Sequence, residues 1–158
     1  MIRCCIFDLD GTLLNTLNAL TVTVNLTLEH FGYEPVDEDH VRQFVGDGYK
    51  LLMERALRYS GDEQLEHYEE SLKVYLELFA KHSMDGVHPY DGICGLLEEL
   101  KKQGIRTAVL SNKPHPRTVE NIENVFGPGY FDYVAGEQPG IYYGYYFLEL
   151  ADYFGQEG

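Results

Sequence analysis

The chain has 158 residues, 44% hydrophobic and 24% charged, a composition typical of a globular protein with one domain or one domain carrying an insertion. Its formal net charge is −14, so we expect neither nucleic acid nor an anionic membrane as a partner. The chain enters an apolar stretch within a few residues and has no apolar run that could cross a bilayer, which predicts a cytoplasmic protein without a signal peptide. The three cysteines form no CxxC pair, which favours buried, reduced thiols.

The chain begins with a predicted strand and continues with helices. Residues 2–9 are apolar, rich in strand formers and followed by Asp-Gly, which predicts a buried parallel strand. Apolar residues then recur at helical spacing, and we predict that residues 13–82 are continuously helical with short connections. Gly32, Gly46-Asp47-Gly48 and Gly61-Asp62 separate these helices, which suggests a small helical bundle.

From Gly86 onward the pattern alternates between helices and strands. The predicted order is a helix over 92–102, a buried strand over 105–110, a helix over 114–125, a short strand over 133–135 and a closing helix near 147–154. Such alternation is typical of a doubly wound α/β core with a parallel sheet. We therefore assign residues 1–14 and 86–158 to an α/β core, and residues 15–85 to a helical insertion after its first strand.

Polar side chains stand at the ends of the first two predicted strands of this core. Asp8 ends the first strand and Ser111 ends the second, and the carboxyl ends of neighbouring parallel strands open on one crevice. Asp8 and Asp10 lie two residues apart, so one carboxylate could attack phosphorus while the other transfers protons. A carboxylate together with a backbone carbonyl suits Mg²⁺, which prefers hard oxygen ligands. The sequence therefore predicts a phosphoryl-transfer site here.

The second strand end also offers groups that bind phosphate. Ser111 and Asn112 precede a helix and present a hydroxyl and backbone N–H groups, although a strand-to-helix cap would use the same residues. Lys113 begins a small basic cluster near the same crevice. A negatively charged chain needs such a local cation, or a metal ion, to bind a phosphorylated substrate.

Several segments of the chain resemble the haloacid dehalogenase (HAD) superfamily. Asp8-Leu9-Asp10-Gly11-Thr12-Leu13-Leu14 is similar to its first motif, and Ser111-Asn112-Lys113-Pro114 is similar to its second. The helical insertion looks like the cap of the phosphoglycolate phosphatase-like branch. Three shorter segments also look like that branch: Phe44-Val45-Gly46-Asp47-Gly48, Met53-Glu54-Arg55-Ala56-Leu57 and Ala135-Gly136-Glu137-Gln138-Pro139-Gly140-Ile141. The resemblance implies a HAD-like Rossmannoid parallel-sheet core with an inserted α-helical cap, in which Gly46-Asp47-Gly48 is either a cap loop facing the site or a plain helix–helix turn.

The resemblance also implies the roles of the site residues. Asp8 would be the nucleophile and a Mg²⁺ ligand, and Asp10 would be the acid/base residue whose backbone carbonyl also binds Mg²⁺. The remaining predicted residues would bind substrate, a small phosphorylated metabolite such as phosphoglycolate; they are Gly11, Thr12, Ser111, Asn112 and Lys113.

The C-terminal stretch departs from the family pattern. A third motif with a lysine and a fourth with acidic residues are expected, but residues 114–158 contain no lysine, and Tyr142-Tyr143-Gly144-Tyr145-Tyr146 stands where Lys-Pro is usual. We read Glu149 and Asp152 as a solvated helix face, and we do not favour Lys113 as a partial substitute for the missing lysine. Missing C-terminal strands would leave the first strand as an apolar edge, which the closing helix could cover or a second copy could pair with to form a homodimer.

Three functions remain open on this reading. The first is a Mg²⁺-dependent phosphatase that hydrolyses a small phosphomonoester through an aspartyl-phosphate on Asp8. The second is a catalytically impaired remnant or an engineered scaffold, since the lysine and acids of the later motifs are missing. The third is a phospho-acceptor of the receiver type, against which Asp10 and the long helical insertion argue.

Overall fold

The computed structural model describes residues 2–141, so the tyrosine cluster, the closing helix, Glu149 and Asp152 lie outside the described residues. Its elements in chain order are β1 (Cys4–Phe7), β2 (Leu14–Asn15), α1 (Leu17–His30), α2 (Glu38–Phe44), α3 (Tyr49–Tyr59), α4 (Tyr68–His82), β3 (His88–Pro89), α5 (Ile93–Lys102), β4 (Arg106–Pro114), α6 (His115–Phe126) and β5 (Tyr133–Glu137). The described residues form two compact units, one of residues 2–14 with 89–141 and one of residues 15–88. Between residues 2 and 141, no helix is long and apolar enough to cross a membrane.

A three-stranded sheet in the order β1-β4-β5 organises the first unit. Both pairings are parallel, with Phe7 beside Val109 and Val109 beside Val134. The parallel α/β core predicted from the sequence is thereby confirmed. α5 packs against β4, and α6 packs against β4 and β5. Within the described sheet β1 lies at one edge, and pairing of that edge with a second copy stays a prediction.

β4 is longer than the sequence predicts. The expected strand ended at Leu110 with the apolar run, whereas β4 continues to Pro114, which pairs with Glu137 of β5. The register shifts between Leu110 and Pro114, so the strand carries an irregularity where its side chains become polar. Ser111, Asn112 and Lys113 therefore lie within the last part of β4 and not after it.

The second unit is helical, but the prediction of continuous helix from residue 13 is wrong at two places. α1 begins only at Leu17, because residues 9–14 form a tight turn that leads into β2. α4 begins at Tyr68 and not directly after Asp62, because the carboxylate of Asp62 accepts the N–H groups of Glu66 and His67 at 2.9 and 3.0 Å. Leu65 within this turn has a φ of 56°, a left-handed conformation that is incompatible with a right-handed α-helix.

The four helices of this unit enclose an apolar core. Its largest fully buried side chains include Tyr75, Phe79, Met53 and Leu57. Tyr49 stacks on Tyr75 with the ring centroids 5.8 Å apart. The apolar stripes read from the sequence therefore supply the side chains that hold the bundle together.

The cysteines differ from the prediction of buried thiols. Cys94 is exposed on α5, and Cys4 and Cys5 on β1 are half-buried. The difference follows from position, because β1 is an edge strand in the described sheet and Cys94 lies on the outer side of its helix.

Candidate active site

The turn after β1 is built around the carbonyl oxygen of Leu9. This oxygen accepts the backbone N–H groups of Thr12, Leu13 and Leu14 at 3.2, 3.0 and 3.1 Å. Gly11 has a φ of 73°, a left-handed conformation that favours glycine, and its N–H donates to the Leu14 carbonyl. Leu9, Leu13 and Leu14 are fully buried, whereas Gly11 and Thr12 are exposed. The buried leucines thus anchor the turn in the core, while Gly11 and Thr12 stay at the surface.

Asp8 begins this turn directly after β1, with its side chain exposed. One carboxylate oxygen, Oδ1, accepts the backbone N–H of Leu9 at 2.8 Å, which orients the group. Desolvation by the surrounding residues raises the pKa of Asp8, and the negative charge of Asp10 raises it further. The Leu9 hydrogen bond and the positive charge of Lys113 lower the pKa but do not outweigh the other two effects. Asp8 is thus an accessible, oriented carboxylate close to a second acid and to a cation.

Asp10 and Lys113 form a buried ion pair. Nζ of Lys113 lies 2.8 Å from Oδ1 of Asp10, and the side chains are 2% and 15% exposed, respectively. The two residues are 103 positions apart in the chain, and the pairing of β1 with β4 brings them together. Lys113, which the sequence suggested as a substrate-binding residue in a basic cluster, therefore contacts the second carboxylate of the predicted site.

Ser111 and Asn112 directly precede Lys113 on β4. Ser111 is 2% exposed, and its Oγ accepts the backbone N–H of Lys113 at 3.2 Å. Asn112 is exposed. The pairing of Phe7 with Val109 ends shortly before Asp8 and Ser111, so the ends of the two strands lie at the same edge of the sheet, as their order in the chain suggested.

Thr118 and Gly136 hold the end of β4 in place. Neither residue was among the site residues predicted from the sequence. The hydroxyl of Thr118, which is fully buried, donates to the carbonyl of Lys113 at 3.2 Å. Gly136 on β5 packs so closely that a Cβ atom there would lie 2.5 Å from the Lys113 carbonyl oxygen and 2.7 Å from Cα of His115. Its N–H donates to Nδ1 of His115 at 3.1 Å. Gly136 directly follows the strand predicted over 133–135 and lies inside β5, and a glycine inside a strand often marks such close backbone approach.

In the helical unit, Arg55 fixes the loop that contains Gly46-Asp47-Gly48. Its guanidinium donates to the carbonyl of Phe44 at 2.7 Å and to Oδ2 of Asp47 at 2.6 Å. Of the two readings left open by the sequence, a helix–helix turn accounts for these contacts, because Phe44 is the last residue of α2 and Asp47 lies between α2 and α3. A role of this loop toward substrate remains a prediction.

The donor groups at the site suit a hard cation. Residues 2–141 contain no cluster of three or more His, Cys, Asp or Glu side chains placed to hold a metal ion. Asp8 and Asp10 supply two carboxylates and a backbone carbonyl, all of them oxygen donors. Mg²⁺ commonly binds proteins through one or two carboxylates, keeping several waters and taking the rest of its ligands from a substrate phosphate. The residues present therefore fit Mg²⁺ in chemical type.

Comparison with known proteins agrees with this architecture. The family model described as haloacid dehalogenase-like hydrolase matches residues 5–139. Among curated relatives, phosphoglycolate phosphatase 1 of Pseudomonas aeruginosa is 33% identical over 85% of this chain and 50% of its own length. Phosphoglycolate phosphatase of Aquifex aeolicus is 31% identical over 85% of this chain and 60% of its own length. The chain thus spans about half to three-fifths of the curated relatives it matches.

Solved structures with the same fold extend the comparison. CbbY from Rhodobacter sphaeroides, solved in complex with phosphate, is 27% identical with a TM-score of 0.68, and the match covers 86% of this chain and 64% of that one. A predicted phosphoglycolate phosphatase from Haemophilus somnus has a TM-score of 0.86 at 24% identity, covering 98% of this chain and 72% of that one, and so supports the fold. The extent of the family match, together with the arrangement of the two motifs, shows that this chain belongs to the haloacid dehalogenase-like hydrolase family.

Proposed function

We propose that this chain carries the active site of a Mg²⁺-dependent phosphatase that hydrolyses a small phosphomonoester through an aspartyl-phosphate on Asp8. The observation that carries the proposal is the accessible carboxylate of Asp8 beside Asp10 and its ion pair with Lys113, at the carboxyl ends of two paired parallel strands. The names of the curated relatives favour a phosphoglycolate-like substrate. We also propose that the helical unit acts as the cap that selects the substrate, and that the protein works in the cytoplasm.

The reaction divides between the two carboxylates. An oxygen of Asp8 attacks phosphorus, the bond from phosphorus to the leaving oxygen breaks, and Asp10 in its protonated form gives that oxygen a proton and becomes a carboxylate. In the second half, Asp10 takes a proton from a water molecule, whose oxygen attacks the phosphorus of the aspartyl-phosphate. The bond from phosphorus to the Asp8 oxygen then breaks, which releases phosphate and restores the carboxylate.

The other site residues bind the phosphoryl group in this proposal. Gly11 and Thr12 are exposed, and the hydroxyl of Thr12 can donate to a phosphoryl oxygen, as can the hydroxyl of Ser111 and the amide of Asn112. Asp8 and the backbone carbonyl of Asp10 would hold Mg²⁺. When bound, the ion offsets the repulsion between the attacking carboxylate and the anionic phosphate.

The test is release of inorganic phosphate from 2-phosphoglycolate and p-nitrophenyl phosphate by the purified protein with and without Mg²⁺. Asp8→Asn should lower the rate by about 10³-fold or more, since removing a nucleophile commonly has effects of that size. Asp91→Asn, which changes an exposed acid of the same unit, should leave the rate unchanged. Equal activity of Asp8→Asn and the unmodified protein would disprove the mechanism.

The alternative functions have their own signatures in the same experiment. No Mg²⁺-dependent release by the unmodified protein would favour a catalytically impaired family member, for which the lysine-free stretch 114–158 is the motivating observation. A phospho-aspartate that persists after treatment with a small phosphodonor would instead favour a phospho-acceptor of the receiver type.

A further inference from the structure

Lys113 is a buried cation placed beside the paired carboxylates. Its side chain is only 2% exposed, and Nζ lies 2.8 Å from Oδ1 of Asp10. An ammonium group removed from water is strongly destabilised unless an opposite charge and hydrogen bonds compensate it. The contact with Asp10 is therefore a defined part of the folded core unit, unlike an ion pair on the surface, which solvent would screen.

Three neighbouring residues, Ser111, Thr118 and Gly136, constrain the backbone of Lys113. Its N–H donates to Oγ of Ser111 at 3.2 Å, and its carbonyl accepts the hydroxyl of Thr118 at 3.2 Å. Gly136 passes the same carbonyl so closely that a side chain there would collide with it. These contacts fix the backbone position of Lys113, and a fixed backbone limits the positions that the side-chain ammonium can reach.

The charges around Asp10 explain what the ammonium could contribute. Asp8 and Asp10 place two carboxylates in one turn of a chain whose net charge is −14, and both would repel a phosphate. Residues 118–158 supply no lysine or arginine. Lys113 is a cation that the fold brings to within 2.8 Å of Asp10.

We propose that Lys113 is a positioning residue for Asp10, a role that rests on the proposed function. Its ammonium fixes Oδ1 and therefore the plane of the carboxylate that exchanges protons with the leaving oxygen and with water. The same positive charge offsets part of the repulsion at the site. This role differs from direct phosphate binding, which is the role that sequence similarity implied for Lys113.

The experiment compares two leaving groups, because only one of them needs a proton. The leaving oxygen of 2-phosphoglycolate must be protonated as it departs, whereas p-nitrophenolate is stable without a proton. Leaving-group release is measured in single turnovers, and KM in the steady state, with the unmodified protein, Lys113→Met and the exposed control Lys102→Met. We expect Lys113→Met to slow phosphoglycolate by about 10²-fold and p-nitrophenyl phosphate by less than about 10-fold, with little change in KM. Lys102→Met should match the unmodified protein.

Two outcomes would overturn the inference. Equal losses on both substrates with a raised KM would mean that Lys113 binds phosphate directly, and unchanged rates would mean that it does neither. No release from either substrate by the unmodified protein would instead overturn the proposed function.

A second readout tests the ion pair without using activity. Urea unfolding of Lys113→Met, Asp10→Asn and the double variant forms a double-mutant cycle. We expect the two changes to be non-additive by about 10-fold in the unfolding equilibrium constant, since residues in contact couple on this scale. Additive effects would overturn the inference whatever the activity of the protein.

Discussion

The ammonium of Lys113 lies 2.8 Å from Oδ1 of Asp10, and this contact joins the end of β4 to the turn that follows β1. The two groups come from segments 103 residues apart, so the contact exists only when the two strands pair in the observed register. It links the stability of the core unit to the chemistry proposed for the site, because the same carboxylate that balances a buried charge is the proposed acid/base group.

Replacing Asp10 should therefore destabilise the protein much more than replacing Asp8. Asp10→Asn removes the carboxylate that balances a buried ammonium, and we expect a loss of about 2–4 kcal/mol in the free energy of unfolding at pH 7. Desolvation and the charge of Asp10 raise the pKa of Asp8, so the folded state loses stability as the pH rises through that raised pKa. Asp8→Asn should for that reason be neutral or slightly stabilising at pH 7. Urea unfolding measures both, and a larger loss for Asp8→Asn would contradict the assignment.

Gly136 should not tolerate a methyl group. Gly136→Ala would place Cβ 2.5 Å from the Lys113 carbonyl oxygen, so β5 or the end of β4 must move, and we expect a loss of about 1–3 kcal/mol in stability. Gly95→Ala is the matched control, because a Cβ there meets nothing within 4 Å and the residue lies inside α5. That control should stabilise the protein by about 0.5–1 kcal/mol. Similar effects of the two substitutions in thermal unfolding would disprove the close approach.

Asp62 should make the helical unit sensitive to acid. Burial alone would raise the pKa of Asp62, but the N–H groups of His67 and Glu66 outweigh burial and lower it from its ordinary value of 3.8. The stabilisation is therefore complete above about pH 5 and disappears as the pH falls below 3.8 through the lowered folded-state pKa. Asp62→Asn should lose about 1–2 kcal/mol at pH 7 and much less near pH 2.

Unfolding curves at both pH values, with Glu63→Gln as an exposed neighbouring control, measure this dependence on pH. A deficit of Asp62→Asn that stays constant between the two pH values would show that the charge of Asp62 is not what stabilises the turn.

Arg55 should order the loop between α2 and α3. Arg55→Met removes the bonds to the Phe44 carbonyl and to Asp47, and we expect a loss of about 1–2 kcal/mol together with faster amide exchange in residues 45–48. Arg42→Met is the control, because Arg42 forms an ion pair with Glu38 on the surface of α2 and its side chain is 60% exposed. This control should change the free energy of unfolding by less than about 0.5 kcal/mol. Unchanged exchange in residues 45–48 of Arg55→Met would contradict the role of this contact.

The sequence by itself determined the features whose signal is local. The apolar run before Asp8 predicts β1, the helical spacing of Leu20, Val24 and Leu28 predicts α1, and the order of strands and helices predicts the parallel sheet. The spacing of Asp8 and Asp10 likewise located the candidate site, because two acids directly after a short apolar strand form a pattern that a few neighbouring residues define completely.

Only the tertiary structure decided how the parts of the site meet. Lys113 gave no local sign that it would be buried, since burial of an ammonium depends on a carboxylate 103 residues away in the correct strand register. The continuation of β4 past Leu110 depends on pairing with β5, and the requirement for glycine at position 136 depends on how closely those strands pass. Local patterns of apolar and polar residues encode the elements, whereas desolvation and long-range pairing, which no local pattern carries, determine which charged groups come together.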